Sequence, residues 1–559
     1  MKLTTMQNKK RILIVGGVAG GASCAARLRR LCEKCEIVLF DKGEHVSFAN
    51  CGLPYFVGNV IKEEDKLLVA KPQLFNDRFN IKVHTQHEVT AIDKLNKTIS
   101  VTNLLTMQER IEPYDALVLA TGARAIRPPL VGIDSPNIYS LRTIPDSHKL
   151  KAAAAKAKRA VIIGGGFIGL EMAENLAQLG LEVTIIEMAT QVMPPLDEDM
   201  ASYVKVCLEE NNIQLQLGQA VESFKQTESG LEIHYSKSHM TTDMVLLAIG
   251  VLPESSLAKQ AQLQLSERGA IQVNAQMQTS NASIWAVGDV VEVLDLVTQQ
   301  RFSLPLAGPA NRQGRICASS ILQAFNPALD RKLSFKGVLG TAVCQVFGHT
   351  IAMTGASEKT LQRAGITDYQ AIYLHPGHHV GYFPGSQPIH IKLIFSKADG
   401  KILGVQAFGR EGVARRVDVI SMAMQLNGSV YDLEESELCY APQFGAAKDP
   451  INMAGMIAGN NLRDDLPLAD WDQLQTSEQQ IIDVRSLAEF SSGHIPGAVN
   501  IPLEEMRQRI EELSPDKEVW LICGVGQRAY YAFRLLFQSG YKAKILSGGM
   551  QTYLAKYQN

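Results

Sequence analysis

Hydrophobic and polar positions follow one pattern that occurs twice along the chain. Each copy has a short apolar run typical of a buried strand, a glycine-rich turn, a stretch with helical periodicity and a second apolar run that ends at an acidic residue. The first copy spans residues 11–41 and ends at Asp41, and the second spans residues 160–187 and ends at Glu187. The pattern predicts two βαβ units with parallel strands that are buried on both faces.

Glycines stand where each predicted strand passes into its helix. The second copy has the full spacing Gly164, Gly166 and Gly169, whereas the first has Val18 at the middle position of the turn 16–21. The first glycine allows a tight turn, and the last lets helix and strand pack closely. The helix N-terminus then faces a pyrophosphate, and the acid accepts hydrogen bonds from ribose hydroxyls. One such spacing is weak evidence, but two copies with strand, helix and acid predict two dinucleotide sites.

Two further segments distinguish the two sites. Residues 114–122 predict a strand that ends in Thr-Gly, where the chain crosses between the units. Residues 279–289 place Asp289 after a buried strand, where its carboxylate suits the ribityl hydroxyls of a flavin. With the two repeats, this set resembles the two-dinucleotide-binding-domain flavoproteins of the pyridine nucleotide–disulfide oxidoreductase superfamily. The resemblance implies FAD in the first copy and NAD(P)H in the second.

The resemblance also implies which residues surround each cofactor. Those at FAD are Gly16, Gly17, Ala19, Gly20, Asp41, Lys42, Asn50, Val89, Thr121, Gly122, Asp289 and Ala307. Those at the nicotinamide nucleotide are Gly164, Gly166, Phe167, Ile168, Gly169, Glu187 and Gly250. A carboxylate at Glu187 accepts from both ribose hydroxyls and repels a 2′-phosphate, so we expect NADH to be preferred over NADPH.

Cys51 lies in the run 47–56 without a second cysteine, although superfamily members with a redox disulfide carry Cys-x-x-x-x-Cys early in the chain. A single thiolate must alternate between the free form and a sulfenic acid, a mixed disulfide or a persulfide. A nearby flavin, helix dipole or basic group is expected to favour the thiolate. A free cysteine is more often a buried packing residue. The position of Cys51 directly after the first βαβ unit is what indicates redox function.

Single-cysteine relatives are NADH peroxidases, NADH oxidases and coenzyme A disulfide reductases. The peroxidases and oxidases place a histidine in the first glycine turn, where this chain has Ala19. The turn and the run Ser-Phe-x-x-Cys-Gly-Leu-Pro-Tyr around Cys51 resemble the coenzyme A disulfide reductases. We therefore expect reduction of sulfur–sulfur bonds in coenzyme A persulfide, polysulfide or coenzyme A disulfide. An NADH oxidase or peroxidase with a sulfur-sensing appendage stays open as the alternative.

Coenzyme A is anionic and needs basic partners. Arg27 and Arg30 are three residues apart on the first predicted helix and share a face, although a solvated basic face has the same pattern. The resemblance implies that Tyr440 comes from the partner subunit of a homodimer, where its phenol protonates a leaving thiolate or binds a sulfur intermediate. Tyr382 is the best match to a second catalytic tyrosine. The residues implied at coenzyme A are Ser23, Arg27, Arg30, Ser47, Asn50 and Lys448, the last also from the partner.

The end of the chain carries a separate pattern. The runs 481–485, 493–502 and 519–523 resemble a rhodanese domain, and the match covers residues 467–559. From Cys523 to Arg528 the loop closes onto a helix predicted to start near Arg528, so its amides point at a persulfide or thiosulfate anion and Arg528 adds positive charge. The loop is one residue shorter than in related phosphatases, which favours sulfur transfer. We expect Cys523 to receive or deliver sulfane sulfur.

Composition changes this picture little. Lys plus Arg (55) nearly balances Asp plus Glu (57), so bulk charge does not indicate nucleic acid or a membrane surface. Without a long apolar run or a signal-peptide core, a cytoplasmic location is expected. Nine scattered cysteines do not predict a disulfide framework, and neither a metal nor a redox role is expected for Cys32 and Cys35. His375, His378 and His379 are expected in a loop near the active site or an interface, not in a metal site.

The predicted fold class is α/β. It comprises two Rossmann-like dinucleotide-binding domains for FAD and NAD, an α+β dimerisation domain and a C-terminal α/β rhodanese domain. The expected limits are 1–120 and 249–330 for the FAD domain, 121–248 for the NAD domain, 331–460 for the dimerisation domain and 467–559 for the rhodanese domain.

Overall fold

The computed structural model describes residues 9–329, 333–474 and 479–557. Over these residues the chain forms two compact units. The first unit comprises Met1–Met188 and Leu215–Val338, and the second comprises Ala189–Gln214 and Leu339–Asn559. Within the described ranges, no helix is both long and apolar enough to cross a membrane.

The first unit begins with the predicted strand, turn, helix and strand, and α1 ends at the predicted residue, Leu31. The elements of this stretch are β1 (Arg11–Val15), α1 (Ala19–Leu31), β2 (Glu36–Phe40), α2 (Leu53–Val57), α3 (Pro72–Phe79), β3 (Lys82–His84), β4 (His87–Asp93), β5 (Thr98–Asn103), β6 (Glu109–Pro113), β7 (Ala116–Leu119) and β8 (Ala123–Ala125).

The second copy of the pattern is also found as predicted. Its elements are β9 (Ile138–Tyr139), α4 (Ile144–Ala154), β10 (Arg159–Ile163), α5 (Phe167–Gln178), β11 (Glu182–Glu187), α6 (Glu198–Glu210), β12 (Gln214–Leu217), β13 (Val221–Thr227), β14 (Gly230–Tyr235), β15 (Ser238–Thr242), β16 (Met244–Leu247) and β17 (Val251–Pro253). Of these, α6 belongs to the second unit. The chain then returns to the first copy through α7 (Ser256–Gln260), β18 (Ile284–Ala286), β19 (Glu292–Leu294), β20 (Arg301–Ser303) and α8 (Ala307–Phe325).

The two copies have sheets with the same strand arrangement. Their orders are β18-β7-β1-β2-β3 and β9-β16-β10-β11-β12, and the glycine-turn strands β1 and β10 occupy the centres. Both central strands pair in parallel with their neighbours. Each copy also contains a three-stranded antiparallel sheet, β4-β5-β6 in one and β13-β14-β15 in the other. The repeat therefore extends beyond the predicted βαβ unit.

Burial on both faces explains why the central strands are apolar along their whole length. Ile12, Leu13 and Ile14 on β1 are fully buried, and Val161 and Ile162 on β10 are buried as well. Each such side chain contributes about 1.5–3 kcal/mol relative to an exposed one. The glycine turns thus follow the carboxyl ends of central strands whose side chains are buried on both faces of the sheet.

The second unit contains an antiparallel sheet and a C-terminal parallel sheet. The antiparallel sheet has the order β21-β22-β25-β24-β23. Its elements are β21 (Ala342–Val346), β22 (His349–Gly355), α9 (Glu358–Arg363), β23 (Tyr369–Leu374), β24 (Ile389–Ser396), β25 (Ile402–Gly409), α10 (Val413–Gln425), α11 (Val430–Glu434) and α12 (Pro450–Leu462).

The C-terminal part (residues 479–557) forms a parallel sheet with the order β27-β26-β28-β29. Its elements are β26 (Gln480–Asp483), α13 (Leu487–Ser491), β27 (Val499–Asn500), α14 (Met506–Arg509), β28 (Val519–Ile522), α15 (Gln527–Gln538), β29 (Ala543–Ile545) and α16 (Gly549–Tyr557).

A buried ion cluster lies inside the second unit. The fully buried Lys392 ammonium on β24 contacts the carboxylates of Asp197 (3.0 Å), Asp199 (2.9 Å) and Glu358 (2.5 Å). Asp199 also accepts a hydrogen bond from the Tyr373 hydroxyl at 2.6 Å. Because Lys392 faces carboxylates from two different stretches of the unit, it fastens the 189–214 stretch to the antiparallel sheet.

The last helix, α16, is attached to the same cluster. The Lys556 ammonium lies 3.6 Å from the Asp199 carboxylate. The Tyr203 hydroxyl donates to the Gln551 carbonyl at 3.3 Å, and Thr552 is 3.0 Å from Nε2 of His375. The C-terminal part is therefore joined through α16 to α6 and to the residue that follows β23.

One cysteine pair differs from expectation. Cys32 and Cys35, directly after α1, are joined by a disulfide, which the scattered cysteines did not predict. The buried Arg29 guanidinium donates to the carbonyls of Cys32 at 3.2 Å and Glu33 at 2.5 Å, so the loop between them is held by a second set of bonds. Among the described residues, no group of three or more His, Cys, Asp or Glu side chains could hold a metal ion.

Candidate active site

The first glycine of each turn is required by geometry. Gly16 has φ +99°, and Gly164 has φ +109°, a region that side chains other than glycine rarely adopt. A Cβ atom at Gly16 would also collide with the Ala120 carbonyl, and one at Gly164 would collide with the Ala248 carbonyl. The two turns are therefore the same device, which supports dinucleotide binding in both copies.

The last glycine of each turn is required by close packing, as the motif predicts. A Cβ at Gly21 would collide with the Gly16 carbonyl, as a Cβ at Gly169 would collide with the Gly164 carbonyl. Gly21 is thus the counterpart of Gly169, and each lies five positions after the first glycine of its turn. The residues predicted at FAD included Gly20 but not Gly21.

The predicted acids face the turns. The Asp41 carboxylate accepts a hydrogen bond from the Gly17 amide at 2.8 Å, and the Glu187 carboxylate accepts one from the Gly165 amide at 2.7 Å. Burial raises the pKa of Asp41, while amide donors including that of Gly17 lower it. Each acid is therefore held at the mouth of its glycine turn, where ribose hydroxyls would lie.

The other predicted nucleotide residues fall around the same turns and crossings. The Thr121 hydroxyl donates to the Glu254 carbonyl at 2.6 Å. This bond joins the segment next to Gly122, where the chain leaves the first copy, to the segment after β17, where the chain returns to it. Lys42 is exposed beside Asp41, and Val89 is buried in β4. Helices α1 and α8 begin at Ala19 and Ala307, and α5 begins around Gly166, Phe167 and Ile168. Gly250 lies just before β17 and has φ +108°.

Cys51 lies in a 3-10 turn, Asn50–Gly52, that leads into α2, and it is exposed. Partial desolvation and repulsion from the Glu171 and Asp289 carboxylates raise the pKa of Cys51, and Arg142 lowers it. The protein side chains alone therefore disfavour the thiolate. Of the groups expected to favour the thiolate, the basic residue Arg142 does so, but desolvation and two acids outweigh it.

Glu171 on α5 was not predicted. Burial raises its pKa to about 7, and the Tyr55 hydroxyl lies 3.5 Å from its Oε1 atom. A carboxyl group that titrates near neutral pH and acts on Cys51 is a candidate for proton transfer. The available signal was a single acid in the apolar first half of a helix that starts at the second glycine turn.

The predicted coenzyme A residues of the first unit divide into two groups. Ser23, Arg27 and Arg30 stand at i, i+4 and i+7 on α1 and therefore share a face. The Ser23 hydroxyl donates to Asn311 on α8, a neighbour that was not predicted. Ser47, shortly before Cys51, has φ +50°, and such backbone conformations cluster at functional sites.

The two predicted tyrosines meet in the second unit. The hydroxyls of Tyr382 and Tyr440 are 2.8 Å apart, and both side chains are exposed. Buried Arg416 holds the two segments together, because its guanidinium donates to the His378 carbonyl at 2.8 Å and to the Asp449 carboxylate at 2.9 Å. Lys448 is exposed directly before Asp449, the residue that caps α12.

The three predicted histidines do not form one site. His378 and His379 lie in the segment between β23 and β24 that also carries Tyr382. His375 is buried, and its Nδ1 atom is 2.9 Å from Nδ1 of His390. Burial lowers the pKa of both, in His390 to about 4, so this pair is neutral at physiological pH.

Cys523 follows β28 and begins a loop that wraps its sulfur. The Gly526 amide donates to Sγ of Cys523 at 3.2 Å, and Gly526 has φ +99°. Helix α15 starts at Gln527, one residue before the predicted start. The Met550 amide of α16 donates to the Cys523 carbonyl at 2.8 Å, so the last helix supports the loop from behind.

Arg528 does not act as a free charge above Cys523, contrary to the sequence-based expectation. Its guanidinium donates to both carboxylate oxygens of Glu489, at 2.7 and 2.6 Å. Glu489 also accepts from the amide and hydroxyl of Ser486 and so caps α13. The Arg528 guanidinium and these Ser486 donors hold the pKa of Glu489 at about 2, so the pair is ionised and neutral overall at physiological pH.

Three family models match the chain in order. The model described as pyridine nucleotide-disulphide oxidoreductase matches residues 10–314, that family's dimerisation domain matches 341–449, and the rhodanese-like domain matches 469–556. The chain belongs to the pyridine nucleotide-disulphide oxidoreductase family.

Relatives place it within that family. It is 35% identical over 451 residues to the coenzyme A disulfide reductase of Staphylococcus epidermidis, which covers 80% of this chain and 99% of the relative. It matches the structure of the reduced Bacillus anthracis CoADR-RHD with 44% identity, 99% coverage of both chains and a TM-score of 0.95. It also matches a NAD-dependent persulfide reductase from A. fulgidus with 34% identity, 97% and 100% coverage and a TM-score of 0.89.

These matches confirm the resemblance to coenzyme A disulfide reductase–rhodanese fusions and the predicted fold class. The family uses FAD and NAD(H), and the two turns fit them. In the first unit, the Gly16 turn and Asp41 would hold FAD, and the Gly164 turn and Glu187 would hold NADH. The individual site residues and the domain limits stay predictions.

Proposed function

We propose that the protein uses NADH, through FAD, to reduce sulfur–sulfur bonds of coenzyme A persulfide, polysulfide or coenzyme A disulfide. Cys51 is the redox thiol, and Cys523 handles sulfane sulfur. The observation that carries the proposal is the exposed thiol of Cys51 in a unit that contains two glycine turns of the same geometry, in a chain that also has a cysteine in its rhodanese loop.

The proposed cycle needs Cys51 as a nucleophile. With coenzyme A persulfide, its thiolate attacks the sulfur that carries coenzyme A, a Cys51–coenzyme A disulfide forms, and hydrosulfide leaves. When bound, FAD and NADH supply the two electrons that return Cys51 to the thiolate and release coenzyme A thiol. The sum is NADH, a proton and the persulfide giving NAD⁺, coenzyme A and hydrogen sulfide.

We further propose a cytoplasmic homodimer in which Tyr440 and Lys448 act in the partner's site. The match to a dimerisation domain and the exposure of Tyr382, Tyr440 and Lys448 support it. Tyr440 would protonate the leaving sulfur, and its hydrogen bond with Tyr382 would orient the phenol. The anionic ends of coenzyme A would lie against the Arg27 and Arg30 face of α1.

Anaerobic NADH oxidation by the purified flavoprotein tests the proposal. Coenzyme A persulfide, polysulfide and coenzyme A disulfide are compared with wild type, Cys51→Ser, Cys523→Ser and, as a control for losing an exposed thiol, Cys439→Ser. We expect turnover with at least one sulfur substrate, its loss in Cys51→Ser and its retention in Cys439→Ser. NADH oxidation that requires oxygen or peroxide would favour the oxidase or peroxidase instead. Unchanged sulfur turnover in Cys523→Ser would remove the rhodanese cysteine from the cycle.

A further inference from the structure

The positive charge of Arg528 near Cys523 is compensated by acidic residues. Arg528 is the cation that the sequence places at the end of the loop, and Glu489 takes it in a two-pronged ion pair. Glu504 adds a further negative charge that acts on Arg528. The loop residues between Cys523 and Arg528 are Gly524, Val525, Gly526 and Gln527, none of them charged.

Neighbouring cations of the C-terminal part are engaged elsewhere. Arg485 is buried and donates to the Asp483 carboxylate and the Gly493 carbonyl. Arg509 pairs with Glu505 and Glu512. The described loop therefore offers an incoming anion backbone amides, such as that of Gly526, without an uncompensated positive charge from these residues.

Donors of sulfane sulfur differ in charge. Thiosulfate is a dianion, and its sulfite leaving group is also a dianion at neutral to alkaline pH. At its reacting end, a thiol persulfide carries at most one negative charge. Backbone amides at a turn and helix start bind a single negative charge well. A dianion that approaches a thiolate carries a second negative charge, which requires a nearby cation that is not already paired with an acidic residue.

We propose that Glu489 is a specificity-determining residue that makes the Cys523 site select persulfide or polysulfide donors over thiosulfate. The inference rests on the proposed function, in which Cys523 accepts sulfane sulfur. In the step, the Cys523 thiolate attacks the terminal sulfur of a thiol persulfide, the S–S bond of the donor breaks, a Cys523 persulfide forms and the donor leaves as its thiolate. Atoms, charge and electrons balance without an outside oxidant.

The substitution Glu489→Gln separates charge from structure. Glutamine can still accept from Ser486, because glutamine serves the same position in a capping box, so α13 keeps its start. It removes the carboxylate that pairs with Arg528, so that the Arg528 charge is available to an anion at Cys523. Glu505→Gln is the matched control, since Glu505 is also a partly exposed partner of an arginine at 3.0 Å but pairs with Arg509.

The experiment measures thiocyanate formation by the full-length flavoprotein, with cyanide as acceptor and with either cysteine persulfide or thiosulfate as donor. In wild type we expect kcat/KM for cysteine persulfide to exceed that for thiosulfate by about tenfold or more, where tenfold is 1.4 kcal/mol. Glu489→Gln should raise kcat/KM for thiosulfate about tenfold and change the persulfide value by less than about threefold, with Glu505→Gln like wild type. Added salt should reduce the gain in Glu489→Gln, because exposed charges are screened.

Two results would overturn the inference: a wild-type preference for thiosulfate, or a thiosulfate kcat/KM that Glu489→Gln leaves unchanged while tryptophan fluorescence shows the native fold. Cys523→Ser distinguishes this from failure of the proposed function. If thiocyanate formation from both donors persists in Cys523→Ser, the sulfur-accepting role of Cys523 is wrong and the inference falls with it. If it stops but the donor ratio is insensitive to Glu489, the role holds and only the specificity assignment is wrong.

Discussion

Replacing Lys392 by methionine is expected to destabilise the second unit more than any surface charge change. Lys392 is fully buried and faces the Asp197, Asp199 and Glu358 carboxylates at 2.5–3.0 Å. Methionine fills a similar volume but leaves those carboxylates without their shared cation. The one other ammonium at Asp199 is that of Lys556, at 3.6 Å, among the ion pairs of the described residues.

The magnitude follows from burial. Removing one partner of a buried ion pair costs about 3–5 kcal/mol, because the remaining charge stays uncompensated. For a unit of this size, each kcal/mol lowers Tm by about 2–4 °C, so we expect a decrease of about 6–20 °C. Lys544→Met is the control, since Lys544 pairs with Glu518 at 3.2 Å with a half-exposed side chain, and such pairs contribute about 0–1 kcal/mol.

Tryptophan fluorescence during heating reports mainly on the second unit, because two of the three tryptophans, Trp471 and Trp520, belong to it, whereas Trp285 belongs to the first. Burial raises the pKa of Asp199, but Lys392, Lys556 and Tyr373 together lower it below its usual value. This stabilisation is therefore present above the unfolded-state pKa of about 3.8 and is lost as pH falls through the lower folded-state value. The Tm difference between Lys392→Met and wild type should therefore persist at pH 7 and shrink in acid. A Tm within 2–4 °C of wild type at pH 7 would refute the reasoning.

Three further substitutions test the site. Glu171→Gln removes a carboxylate that raises the pKa of Cys51, so iodoacetamide should label Cys51 faster than in wild type. The difference should be clearest above about pH 7, where Glu171 is ionised in wild type. Identical pH profiles of labelling would contradict this. Tyr440→Phe should lower kcat about 10²-fold with little change in KM, as expected for a lost proton donor, and an unchanged kcat would remove it from catalysis. Gly16→Ala should yield protein without flavin absorbance, whereas Gly164→Ala should retain flavin and lose NADH affinity, and retained flavin in Gly16→Ala would contradict the turn geometry.

The nucleotide-binding turns could be predicted because the residues that the folded structure requires there also form a short local sequence motif. Gly16 and Gly164 are required by a positive φ and by the close approach of one carbonyl each, so their spacing is visible in the sequence. The strands on which they stand are apolar throughout because both faces are covered. Asp41 and Glu187 were found for the same reason, since each ends a strand of fixed length beside its turn.

Charge relations between distant residues could not be read in the same way. Glu489 lies 39 positions before Arg528, and their ion pair exists only because α13 and the loop end meet in the folded C-terminal part. The contact of His375 with Thr552 spans 177 positions. In both cases, the residues next to one member of the pair in the sequence do not indicate which distant residue it contacts. The sequence pattern therefore predicts a positive charge at Arg528, whereas in the structure Glu489 compensates that charge.

The same limit applies at Cys51, where the missed residue bears on the chemistry of the predicted one. Glu171 titrates at about pH 7 and, when ionised, opposes a negative charge on Cys51. When Glu171 is protonated near neutral pH, its opposition to a negative charge on Cys51 is removed. Asp289 also raises the pKa of Cys51, and Arg142 lowers it. Of these groups, Glu171 is the one whose charge changes near neutral pH. The sequence predicts Cys51 as the redox sulfur, but one of the groups that raise its pKa is a carboxyl group 120 residues away, which the local sequence does not reveal.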